Sequence, residues 1–94
     1  MRKPNKMTLE QHEETANDLA IVVHYFRQVI YRIHMNYGER NIMSRLVGKA
    51  NLAIFKLFMK LGGDAELIDE NGRALYYNLE GRYLVNKERG KYNE

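Results

Sequence analysis

A chain of 94 residues has room for one domain, and the absence of cysteine removes disulfides and thiolate chemistry and leaves a zinc site only histidine and carboxylate ligands. Hydrophobic content of 45% and charged content of 29% are ordinary for a globular protein. The formal charge of +3, with a pI near 9.2, permits nucleic acid or an acidic protein as partner and demands neither.

The chain begins with Met1-Arg2-Lys3-Pro4-Asn5-Lys6, which is basic and has no apolar signal core behind it, so residues 1–7 are read as a disordered arm. The longest apolar run, Leu19 to Val23, is too short to span a bilayer, so no membrane is expected and the cytoplasm is the expected location.

Thr8-Leu9-Glu10-Gln11 then has the form of a capping box, in which a hydroxyl and an amide satisfy two orphan backbone donors reciprocally. From Leu9 through His12, Ala16, Leu19, Val23, Phe26, Ile30 and Ile33 to Tyr37, residues recur at alternating steps of three and four. That spacing holds them on one helical stripe. Acidic residues gather near the start, Arg27 and Arg32 lie toward the end, and Gly38 closes the stretch, so a helix over 9–37 is predicted.

A second helix is predicted over about 40–61, stopping at Gly62-Gly63. Met43, Leu46, Val47, Ala50, Ala53, Ile54, Leu57, Phe58 and Leu61 fall in one apolar sector, with Arg45, Lys49, Lys56 and Lys60 roughly opposite. The short connection makes the two helices an antiparallel αα-hairpin. Apolar residues also lie outside its seam, among them Tyr25, Leu52, Phe55 and Met59. Such surplus needs covering by the C-terminal segment and by another copy, and a homodimer of four-helix type is expected.

Beyond Gly63 the pattern changes. Asn71-Gly72 between 65–70 and 73–79 is a hairpin signal, because both residues tolerate the positive φ of a type I′ turn. Glu70 would face Arg73, and Ile68 would face Leu75. A second turn at Glu80-Gly81 would complete a three-stranded meander over about 65–85, and the polar residues 86–94 would fray. The fold class expected is therefore mainly α, a helical hairpin with a small β-hairpin or meander, in a single domain.

Candidate chemistry is sparse. His12, His24 and His34 share no i,i+3 or i,i+4 spacing, and there is no phosphate loop or nucleophile motif, so no metal, cofactor or catalytic site is expected. Arg27 and His34 have an Arg-x6-His spacing that resembles the Arg-x(4–6)-His pattern of HEPN ribonucleases, although Gln28 stands where that family prefers Asn, Asp or His. The resemblance implies an arginine and a histidine cleaving RNA from a dimeric helical bundle. Residues 41–79 also resemble a winged helix-turn-helix, with a turn at Gly48-Lys49-Ala50, a recognition helix over 51–61 and the hairpin as wing. This implies a DNA-binding regulator.

The reading preferred on the residues is a non-enzymatic, dimeric interaction or regulatory protein. It would bind a protein or nucleic-acid partner through the apolar-basic face of the second helix: Arg45, Lys49, Leu52, Phe55, Lys56, Met59 and Lys60.

Overall fold

A computed structural model of the chain describes residues 6–91. Three α-helices and one 3-10 turn make up 83% of these residues, and no strand occurs among them. The helices are α1 (Leu9–Tyr37), α2 (Ile42–Ile68) and α3 (Leu79–Glu88), with the 3-10 turn at Gly72–Tyr76 between α2 and α3. Residues 1–5 of the expected arm and 92–94 of the expected tail lie outside the described residues.

The first hairpin forms as its caps dictate. Thr8 N–H donates to Gln11 Oε1 at 2.9 Å, and Gln11 N–H donates to Thr8 Oγ1 at 3.1 Å, so both halves of the capping box are made. At the far end Gly38 takes φ 81° and donates its N–H to His34 O at 3.0 Å. Asn41 then caps α2 by accepting from Met43 N–H at 2.9 Å, and the buried Ser44 hydroxyl holds the linker by donating to Gly38 O at 2.7 Å.

The β-meander expected over about 65–85 is not formed, and the helical hairpin is followed by helix instead. Gly62 and Gly72 serve packing through their missing Cβ atoms rather than breaking the chain into strands. α2 runs straight through Gly62-Gly63 to Ile68. A Cβ on Gly62 would sit 3.3 Å from Arg73 Cγ, so the glycine lets the 3-10 turn lie close on α2. Asn71 has φ −94° and ψ 2°, and Gly72 has no positive φ, so no type I′ turn exists there. Gly72 is buried against the backbone of Ala65. The expected Glu70–Arg73 and Ile68–Leu75 pairs are absent: Arg73 pairs with Glu66 in the last turn of α2, and Ile68 is exposed. At Glu80-Gly81 the chain is likewise helical. Asn78, at φ 46° and ψ 57°, caps α3 through Gly81 N–H. Asn86 to Glu88, assigned by sequence to the tail, form the last turn of α3, with Asn86 buried.

α3 packs across α1, while the 3-10 turn packs on α2 and touches α1. Their meeting point is the core: Ala16 and Ala20 of α1, Ala65 of α2, then Tyr76, Leu79 and Tyr83. Three alanines bring the backbones together and two tyrosines fill the space. The core therefore sits at one end of the hairpin, near the start of α1 and the end of α2. The other end projects from it. The radius of gyration is 15.6 Å, against about 12.4 Å for a compact chain of this length.

Candidate functional site

α2 passes unbroken through Gly48, so residues 48–50 make no turn, and with no strand at 66–79 there is no wing. The geometry of a winged helix-turn-helix is absent. The Arg27–His34 pair fares differently. Both fall on one side of α1, but seven residues of helix separate them by about 10.5 Å along its axis. Arg27 lines a groove, and His34 has its Nδ1 buried without a hydrogen-bond partner.

All seven residues proposed from sequence as a partner-binding face are exposed on α2. At 100° per residue, Phe55, Met59 and Leu52 follow one another round the helix, and Arg45, Lys56, Lys49 and Lys60 continue the arc. The three apolar side chains are 58%, 56% and 54% exposed. None of the four cations makes an ion pair within the described residues. Among the described residues, the lysine seated on an aromatic ring, Lys87 at 5.9 Å from the Tyr83 centroid, is on α3.

The structure adds a wall that periodicity alone did not place. Between α1 and α2 runs an open groove of about 510 Å³, with Val23, Arg27 and Ile30 on one side and Gly48, Leu52, Phe55 and Phe58 on the other. Toward the core end it meets a smaller hollow of about 110 Å³ bounded by Phe55, Phe58, Met59, Arg73, Tyr76 and Tyr77. Phe55 and Phe58 belong to both. Apolar surface thus lines the groove, and the cations of α2 lie beyond Leu52 on the helix surface, from about 20° further round for Arg45 to about 80° for Lys60. Arg73 stays fully charged here: the hydrogen bond and charge of Glu66 push its pKa above the ordinary arginine value.

Two histidine clusters also form. His24 Nδ1 lies 2.7 Å from Glu80 Oε1, its Nε2 lies 3.2 Å from the Gln28 amide, and its ring stacks on Tyr83 at 4.0 Å. With both nitrogens engaged, the ring pins α3 to α1 and offers no atom to a substrate. His12, 1% exposed, has Nδ1 at 2.6 Å from Tyr76 Oη, which is also 3.3 Å from the His12 carbonyl. If Nδ1–H donates to the hydroxyl and the hydroxyl donates to the carbonyl, both contacts are satisfied by one proton each. Burial, and then the carboxylate of Asp64, push the Tyr76 hydroxyl above its ordinary pKa, with Arg82 opposing. Neither cluster had a local signature, because the partners stand 56 and 64 residues apart in sequence. The local hints are His12 falling on the apolar stripe of α1 and the i,i+4 spacing of His24 and Gln28.

Among the described residues no three His, Asp or Glu side chains converge as a metal ion would need, and no helix is long and apolar enough to cross a membrane. Comparison with protein-family models, with curated proteins and with solved structures finds no match.

Proposed function

We propose that this is a non-enzymatic interaction protein, working as a homodimer, that captures an acidic amphipathic segment of a partner protein in the groove between α1 and α2. The observation that carries the reading is the pairing of surfaces along one helix. Leu52, Phe55 and Met59 are more than half exposed beside a groove, and four cations without ion-pair partners among the described residues stand next to them. An amphipathic helix laid in such a groove buries apolar anchors at i, i+3, i+4 and i+7, while its carboxylates meet those cations. Large apolar side chains exposed at the groove end of this arc favour a protein over nucleic acid. Interfaces with DNA are more polar and more positive, whereas protein interfaces are enriched in aromatic residues, Met and Arg.

The test is fluorescence anisotropy with a labelled peptide carrying Leu and Phe on one helical face and Glu on the other. A scrambled peptide of equal composition and a short DNA duplex serve as comparisons. Binding of the patterned peptide alone is expected. Phe55→Ala should weaken it at least tenfold, about 1.4 kcal/mol, and Lys49→Glu/Lys56→Glu should weaken it further as salt falls. Equal binding of the scrambled peptide or the duplex, or indifference to Phe55→Ala, would overturn the groove reading in favour of a diffuse basic surface.

A further inference from the structure

The groove occupies one side of the hairpin, and the opposite side is built differently. On α1, Val22, Phe26, Val29 and Ile33 follow at steps of four, three and four, and all are exposed or half-buried. On α2, Met43, Leu46, Ala50, Ala53 and Leu57 follow at three, four, three and four, and all are exposed, Leu46 by 55% and Leu57 by 47%. At 100° per residue each set forms a single stripe, and the two stripes flank the seam on the side away from Phe55. The apolar sector read from the sequence of α2 is therefore split. Val47, Ile54, Phe58 and Leu61 are at least half-buried, while the rest of the sector is bare. No charged residue interrupts either stripe.

We infer that this apolar face is covered by a second copy of the chain, the two hairpins stacking as the layers of a four-helix bundle. The inference rests on the homodimeric part of the function proposed above and is independent of the groove. Three observations favour a copy over another occupant. First, area: the chain exposes 7446 Å², whereas a folded monomer of 11.1 kDa is expected to expose about 5,700 Å² by the usual scaling. The excess, about 1,800 Å², is within what one partner of an obligate homodimer gives up. Second, charge: copies of a chain with formal charge +3 repel where their cations meet, and neither stripe itself holds a cation, Lys49 and Lys60 standing only along the edge of the α2 stripe. Third, shape: the α2 stripe is narrow at Ala50 and Ala53, and Phe26 and Val29 stand at about the same level of the hairpin, because Val23, Arg27 and Ile30 on either side of them share the groove with Gly48, Asn51, Leu52 and Phe55. A two-fold pairing that sets α2 of one copy on α1 of the other places these large side chains over the small ones. Such a contact is closed and self-complementary.

Sedimentation velocity over a hundredfold concentration range, centred on tens of micromolar, tests this directly. A mass of twice 11.1 kDa is expected for the wild type, and Leu46→Glu/Leu57→Glu is expected to be monomeric with Phe55→Ala unchanged. A monomeric wild type overturns the inference. Because the double variant loses apolar surface that a small protomer needs, a second measurement avoids it. The chain has no cysteine, so Ala53→Cys and Lys49→Cys each carry a single thiol. Maleimide labelling of Ala53→Cys should slow at least tenfold across the concentration range over which the dimer forms, while Lys49→Cys stays fast. A dimer in which both label equally fast would place the interface elsewhere and equally overturn the inference. Loss of peptide binding with the dimer intact would instead remove only the groove.

Discussion

Two glycines of this chain should respond to the same substitution with opposite sign. At Gly48, in the middle of α2, an added Cβ meets nothing within 4 Å. Glycine inside a helix is about 0.8–1.0 kcal/mol less favourable than alanine, so Gly48→Ala should stabilise by up to that amount. At Gly72 the added Cβ would stand 2.3 Å from Ala65 O and 2.5 Å from its carbonyl carbon. Both are backbone atoms of a packed helix, so only the 3-10 turn can give way. Overpacking of this kind costs typically about 1–3 kcal/mol, and the turn carries Tyr76 into the core, which places the cost toward the upper end. For a domain of this size 1 kcal/mol moves Tm by roughly 4–8 °C. Melting followed by circular dichroism should therefore rise by several degrees for Gly48→Ala and fall by roughly 10 °C or more for Gly72→Ala. Protein concentration must be matched, since self-association shifts Tm by mass action. A clear loss on Gly48→Ala would mean that the chain turns there, and a neutral Gly72→Ala would mean that the 3-10 turn does not rest on Ala65.

Tyr76→Phe removes the hydroxyl that meets His12 Nδ1 and the His12 carbonyl; leaving the buried ring nitrogen unpaired should cost about 1–3 kcal/mol in a urea titration. The wild type should also lose stability in alkali. A hydroxyl whose pKa is raised by folding stabilises fully below the ordinary value of about 10 and loses that contribution as pH climbs through the folded value. This alkaline component should vanish in Tyr76→Phe; its persistence would assign it to another group. Glu66→Gln, which breaks an exposed ion pair with Arg73, should leave the melting temperature unchanged, as isolated surface pairs contribute little.

The hairpin was legible because its signals are local. A capping box within four residues, a 3-4 periodicity over 29 residues and a glycine with positive φ each act on the chain where they stand. The C-terminal third was not legible, and the reason is specific. Asn71-Gly72 has the composition of a type I′ turn, and Gly62-Gly63 that of a helix stop, but glycine also serves wherever two backbones must touch. Which use is made depends on Ala65 meeting Gly72 and Arg73 meeting Gly62, contacts decided by tertiary packing. The candidate face divides in the same way. Helical spacing placed Arg45, Lys49, Leu52, Phe55, Lys56, Met59 and Lys60 on one side of α2, where they are exposed. It did not show that Val23, Arg27 and Ile30 of α1 wall the groove beside them, nor that α2 leaves half of its apolar sector uncovered. Both follow from how far apart the two helices lie.

The hairpin is proposed to have two working faces, a groove beside the cations of α2 and an apolar side that meets another copy. Sedimentation of the protein with the labelled acidic amphipathic peptide reads both at once. The peptide should travel with a species of twice 11.1 kDa, saturating at one peptide per chain with the pair intact. Peptide binding that drives the protein to monomer mass would show that peptide and copy compete for one surface, and would contradict this arrangement.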